Sequence, residues 1–225
     1  FIDFFLLGDA EELLPEVLGQ VKDKYLGKGL NKSQFLDDLA KIPGIYVPEL
    51  YKVDYNHDGI VKSIVNTGNA PAKVKKGVVK NFDEAYFPTK PILPYVEAVH
   101  DRVMLEVARG CTRGCRFCQA GMIYRPVREK KPQTLERQAY ETLENTGYEE
   151  ISLTSLSSVD YSGIELIVKQ LLSKLEGQRI GISLPSLRVD AFSVDLVKEI
   201  QKVRKTGLTF APEAGTQRLR DVINK

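Results

Sequence analysis

Cys111, Cys115 and Cys118 are the three cysteines of this 225-residue chain, and all lie within "GCTRGCRFCQ". An odd number of thiols this close together makes a poor disulfide framework, and thiolates on one short loop converge more readily on a metal. Ordinary [4Fe–4S] carriers use four cysteines, so that every iron is saturated. Three would leave one iron open, and an open coordination position is a reactive one, as the contrast between catalytic and structural zinc shows. Gly110 and Gly114 allow the backbone to fold tightly around a compact inorganic group. Arg109, Arg113 and Arg116 place positive charge around a centre whose core and thiolates sum to negative charge. The competing reading is a structural zinc with its fourth ligand brought from elsewhere. His100 is the nearest histidine, and it precedes Cys111 by a whole predicted strand.

The elements around this loop alternate in type. "RVMLEVA" from Arg102 reads as a strand that ends at the cysteines, and "EEISLTS" (149–155), "RIGISLP" (179–185) and "GLTFAPE" (207–213) read as three more. Helical periods lie between them. Leu135, Ala139 and Leu143 mark one helix, with Thr134 at its start and Gly147 past its end. Ile164, Ile167, Val168, Leu171, Leu172 and Leu175 mark the next, with Ser162 and Glu165 at capping-box spacing and Gly177 closing it. Leu196, Val197, Ile200 and Val203 form a third, capped by Ser193, and a fourth begins near Thr216. Strand–helix–strand repetition implies parallel strands with right-handed crossovers, and active sites sit at the C-terminal ends of such strands. A (β/α)8 barrel takes about 250 residues, so the stretch after His100 holds roughly half of one.

The first hundred residues are organised differently. "FIDFFLLG" reads as a buried strand, followed by a helix with Asp9 and Glu12 at capping-box spacing and Leu13, Leu14, Val17, Leu18, Val21 and Tyr25 at helical period. A second helix is expected over 33–42, stopped by Pro43 and Gly44. "IYVPELYKVDYNHDGIVKSIV" predicts a strand pair turned at Asn56-His57-Asp58-Gly59. "DYNHDG" imitates the start of a calcium loop, but Val65 stands where the closing Glu belongs, so it is read as a turn. Residues 66–100 lack periodicity and read as a linker, with Lys73, Lys75 and Lys76 on a solvated face. "RPVREKK" (125–131) has the charge to grip phosphate or RNA, although such a run is more often a solvated loop.

In this setting, C-x3-C-x2-C with Phe117 before the last cysteine, at the end of a first strand, resembles the radical S-adenosylmethionine superfamily. "LEVARGCTRGCRFCQAGMIYRPVRE", "GYEEISLTSLSSVDYSGI", "SLPSLRVDAFS" and "LTFAPEAGTQRLRDVINK" are similar to one branch, with an N-terminal cobalamin-binding-type domain and no assigned substrate. The resemblance implies an α/β fold: the first half of a partial TIM-type (β/α) barrel over 101–225, preceded by the tail of a Rossmann-like domain over 1–26 and a connecting segment over 27–100. It implies a [4Fe–4S] cluster on Cys111, Cys115 and Cys118. The open iron would chelate S-adenosylmethionine, and an electron would break its S–C5′ bond to give a 5′-deoxyadenosyl radical that attacks an unknown substrate.

The resemblance also implies roles at the strand ends. Ser155, Ser157 and Ser158 would face the amino group of S-adenosylmethionine, although the usual Gly-Gly-Glu version is absent. After the third strand come Ser186 and Arg188, the latter able to clamp the carboxylate bidentately. Glu213 would bond the ribose hydroxyls or the amino group, and Phe117 would pack on the adenine. Plainer readings stand beside these: turn hydrogen bonds for the serines, a surface ion pair for Arg188, a helix cap for Glu213. The Asp-x-His-x-x-Gly cobalamin signature does not occur here, so a cobalamin site is expected before Phe1. The chain begins without Met and reads as part of a longer one.

Composition removes other classes. With 32 basic and 30 acidic residues the net charge is +2, which is no broad field for nucleic acid, although nucleic acid is not thereby ruled out as a partner. No apolar run approaches a membrane span and the N-terminus lacks a signal-peptide pattern. Free thiols fit a reducing, cytoplasmic compartment, with flavodoxin or ferredoxin as the implied electron donor. Two further readings are a methylthiotransferase-like enzyme acting on RNA or protein, which would need more cysteines for a second cluster, and a non-catalytic iron–sulfur or zinc module.

Overall fold

A computed structural model describes every residue except 1, 28, 30, 97, 189–193, 205 and 206. The chain divides into two compact units, Phe1–Asn81 and Phe82–Lys225.

In the first unit, β1 (Phe5–Leu6) leads into α1 (Ala10–Gln20), which continues as one π-helical turn, Val21–Tyr25. Then come α2 (Lys32–Leu39), β2 (Ile45–Tyr46) and the hairpin of β3 (Tyr51–Tyr55) and β4 (Val61–Asn66). Leu13 and Val17 of α1 pack with Leu36 and Leu39 of α2 and with Ile42, Ile45 and Val47. Leu14 and Leu18, which share the helical period, face outward instead. The expected capping box does not close on α1. Asp9 Oδ2 accepts from Val79 N at 2.9 Å and Glu12 Oε1 from Lys80 N at 3.0 Å. Both carboxylates serve a remote strand-like segment because it supplies unpaired N–H donors beside the helix start.

β1 pairs with β2 antiparallel, Phe5 opposite Tyr46, whereas the strands of a Rossmann-type sheet run parallel. The only parallel link among the described residues of this unit is an isolated bridge between Gly8 and Gly77. A distinct Rossmann tail is therefore not visible in this unit. The "DYNHDG" stretch is the hairpin turn: Asp58 Oδ1 accepts from Ile60 N at 3.0 Å, and Asn56 N donates to Ile60 O at 2.8 Å.

The second unit runs β5 (Val103–Glu106), β6 (Ala108–Arg109), α3 (Ala120–Ile123), β7 (Arg128–Glu129), α4 (Pro132–Thr146), β8 (Glu150–Thr154), α5 (Ile164–Lys174), β9 (Gly181–Ser183), α6 (Val194–Gln201) and α7 (Gln217–Ile223). β5, β8 and β9 form a parallel sheet in that order, with Val103, Ile151 and Ile182 in register. α4 and α5 are the crossovers. Their stripes, Leu135 and Ala139 on one and Ile167, Val168 and Leu171 on the other, pack with Val103, Leu105, Ile151, Leu153 and Ile182. Each such fully buried Val, Leu or Ile side chain contributes about 1.5–3 kcal/mol relative to exposure. Gly147 ends α4 in the left-handed region at φ 70°, as its position predicts.

The fourth strand expected over 207–213 is reduced to one parallel bridge between Leu187 and Phe210. Most of this stretch is exposed, Pro212 has no N–H for a ladder, and Glu213 turns away at φ 65°. The described residues thus form part of a (β/α) domain, without a closed barrel. Two local readings change as well. α5 starts from Gly163 without a side-chain cap, because Ser162 donates through both its N–H, at 3.0 Å, and its hydroxyl to Glu129 of β7. The "RPVREKK" run is a solvated loop only in part: residues 125–127 and 131 are exposed, but β7 pairs with β6 and Lys130 is 3% exposed. Thr216 caps α7 by accepting from Leu219 N at 3.3 Å, while the cap expected at Ser193 lies outside the described residues.

Candidate functional site

The cysteine loop leaves the sheet at the C-terminal end of β5. Val107 N still donates to Thr154 O of β8, at 2.9 Å, before β6 turns aside to pair with β7. Gly110 makes the bend at φ 89°, where a Cβ would lie 2.6 Å from Tyr124 O. No other residue type fits that bend, since both the conformation and the space exclude a side chain.

All three cysteines are half-buried free thiols. Arg113 N donates toward Cys111 Sγ at 3.5 Å and Gly121 N toward Cys118 Sγ at 3.4 Å, while Arg188 Nη1 stands 3.5 Å from Cys115 Sγ. A tight turn holds the last two together, with Cys118 N donating to Cys115 O at 3.0 Å. Each sulfur therefore has a donor aimed at it. Among the described residues, no group of three Cys, His, Asp or Glu side chains stands close enough to hold a single metal ion.

The three loop arginines do not simply ring the thiols. Arg109 forks onto the carboxylate of Glu106, with contacts of 2.9 and 2.7 Å, and lies 4.7 Å over the Phe82 ring. Arg113 grips Asp160 with Nε 2.8 Å from Oδ2 and Nη2 on Oδ1. The guanidinium of Arg116 donates to Val222 O. A planar fork matches a carboxylate better than a distributed negative charge, so the available carboxylates take the guanidinium groups first. Arg113 holds the Asp160 carboxyl below its ordinary range, with Arg188 adding to the effect.

The other strand ends bring further candidates to the same face of the sheet. Ser158 is fully buried; its hydroxyl donates to Leu153 O at 2.8 Å and its N–H to Ser186 O at 3.1 Å. That places Ser158 and Ser186 in the backbone joint between the second and third strand ends. Ser155 Oγ accepts from Ser157 N at 3.1 Å, which is the turn reading. Ser157 is 7% exposed, and its side chain helps Arg113 to hold the charged form of the Asp160 carboxyl. Glu213 accepts from Lys225 Nζ at 2.7 Å, and the same ammonium lies 5.8 Å from the centre of the exposed Phe117 ring. A cleft of about 630 Å³ opens here, lined by Arg113, Arg188, Pro212, Gln217, Arg220 and Asn224 among others. Its size suits a nucleotide-sized cosubstrate.

Asp160, Gln217, Arg220 and Asn224 have no part in the sequence-level reading. Asp160 closes "SLSSVD" directly after the expected serines, and its spacing from them was the one available signal. Gln217 and Arg220 belong to α7 and Asn224 caps it, and the helical pattern says nothing about which end meets the cysteines.

Residues 105–225 match the family described as the radical SAM superfamily, and residues 1–48 match the N-terminal region of radical SAM proteins. The chain is also similar to MJ0966, an uncharacterized protein of Methanocaldococcus jannaschii, with 38% identity over 122 residues. That alignment covers 54% of this chain and 26% of the other protein, so the chain spans about a quarter of its relative's length.

Proposed function

The chain belongs to the radical SAM superfamily, and from that membership we propose that Cys111, Cys115 and Cys118 hold a [4Fe–4S] cluster at which S-adenosylmethionine is cleaved. The observation that carries the reading is the loop itself: three free thiols after the first parallel strand, each with a hydrogen-bond donor at its sulfur. A cubane takes one thiolate per iron, so its ligands stand farther apart than those of a single ion. The donor set fits that group: soft, deprotonable and one short of saturation.

When bound, the cluster supplies the electron that splits S-adenosylmethionine into methionine and a 5′-deoxyadenosyl radical, which takes hydrogen from a substrate. The chain's own part is placement. Arg188 lines the cleft beside Cys115 and offers a guanidinium to the methionyl carboxylate. Ser157, with its buried hydroxyl, and Ser155 sit at the second strand's end and offer acceptors to the amino group. Phe117 gives an exposed ring for the adenine, and Glu213 a carboxylate for the ribose hydroxyls once Lys225 releases it. Ser186 acts through its backbone, fixing the third strand end. The electron comes from a donor of the flavodoxin or ferredoxin kind.

The sequence likeness to a branch with a cobalamin-type domain adds the proposal that such a domain lies toward the N-terminal side. Anaerobic reconstitution with iron and sulfide, then dithionite and S-adenosylmethionine, tests the central reading. The expected product is 5′-deoxyadenosine, lost when any of the three cysteines becomes serine. A colourless protein that retains stoichiometric zinc and gives no 5′-deoxyadenosine would sink it.

A further inference from the structure

The segment 113–116, which follows Cys111 and contains Cys115, is tied to two elements distant in sequence. Arg113 forks onto Asp160, in the short helical turn after β8. The backbone of the same segment is held by the C-terminus of α7. Asn224 Nδ2 donates to Arg113 O at 2.9 Å and to Gly114 O at 3.1 Å. Arg116 N donates to Ile223 O at 3.0 Å, and its guanidinium to Val222 O.

We propose that Asp160 and Asn224 are positioning residues that clamp the spacer between Cys111 and Cys115, presetting the loop for its cluster. Asn224 is suited to this in two ways. It sits in the left-handed region at φ 58° and ψ 52°, which asparagine tolerates better than most residues, and so ends α7 where it stands. Its amide then has two N–H donors for two carbonyls of the loop. Asp160 fixes the side chain of Arg113, whose backbone N–H is the one aimed at Cys111 Sγ. A loop with glycine on both sides of its first cysteine has much freedom to lose on binding a cluster. Preorganising it removes part of that loss in advance.

This inference rests on reading the cysteine loop as the cluster loop, and its test is made on the metal-free thiols so that the two can fail separately. The full chain and the variants Asp160→Asn, Asp160→Glu, Asn224→Gly and Asn224→Ala are alkylated with iodoacetamide under reducing, metal-free conditions. Each cysteine is followed by peptide mass spectrometry. Asn224→Gly keeps the left-handed turn and removes only the amide. Loss of one such tie is expected to speed alkylation of Cys111 and Cys115 about five- to tenfold while Cys118 changes little. Asp160→Glu should recover part of the wild-type rate. On reconstitution, the folded variants should take up iron more slowly and show a broadened electron paramagnetic resonance signal.

Unchanged rates in folded Asp160→Asn and Asn224→Gly would overturn the clamp. So would uniform acceleration of all three thiols, which marks general loosening of the fold. A wild-type chain that takes up no iron, with the alkylation pattern as expected, would overturn the cluster reading and leave the clamp standing.

Discussion

Arg188 and Cys115 lie 73 residues apart in the chain and meet with Nη1 3.5 Å from Sγ. The third strand end and the middle thiol are thus joined by one side chain that also lines the cleft. If Arg188 holds the carboxylate of S-adenosylmethionine, Arg188→Ala should weaken its binding about 10- to 100-fold, the range for a lost charge-assisted hydrogen bond. Arg188→Lys should fall between, because an ammonium cannot reproduce the planar fork. Titration calorimetry on the anaerobically reconstituted protein measures this, and an unchanged Kd for the alanine variant refutes the assignment.

Gly110→Ala should disrupt the loop, since the new Cβ would stand 2.6 Å from Tyr124 O and 2.8 Å from Pro126 O at φ 89°. Backbone atoms cannot give way cheaply, so a loss of about 3 kcal/mol or more is expected, with failed iron uptake. Gly147→Ala is the control: it has φ 70° but open space, and should cost about 1 kcal/mol. Urea denaturation of both variants, with iron analysis, distinguishes the two cases.

Lys130 is 3% exposed, with its ammonium 4.9 Å from the centre of the Phe87 ring, 5.2 Å from that of Phe82 and 3.2 Å from Gln138 Oε1. Lys130→Ala removes the packed stem and the donor together, so a loss of about 2–4 kcal/mol is expected. Lys130→Met keeps most of the volume and should cost less than half of that. Equal losses in chemical denaturation would mean that the charge, not the stem, dominates.

Asp38 governs an acid dependence in the first unit. The hydrogen bond from Lys41, with help from Tyr25, holds its carboxyl at about 2 against an ordinary 3.8. The folded state therefore binds this proton less readily than the unfolded chain. The stabilisation is complete above the ordinary value and disappears as pH falls from 3.8 toward about 2. Asp38→Asn should lower the urea midpoint at neutral pH, and the gap to wild type should close across that window. A gap that persists at pH 2 would rule this out.

By itself the sequence determined the elements whose signals are local. The stripes of α4 and α5, the stop at Gly147, the hairpin turn at 56–59 and the strand–helix alternation of β5, β8 and β9 all follow from period and turn chemistry within a few residues of each position. The cysteine loop was legible for the same reason, as were its glycines. Tertiary structure alone decided the partners. Asp9, Glu12 and Ser162 have the spacing of caps, yet they bond Val79, Lys80 and Glu129. Arg113 reads as a neighbour of the thiols and instead binds Asp160, and Lys130 reads as solvated and is buried. A local cap and a remote hydrogen bond each contribute about 1 kcal/mol, so neither has a decisive advantage. Which one forms depends on what packing brings within 3 Å, and that distance does not exist until the chain has folded.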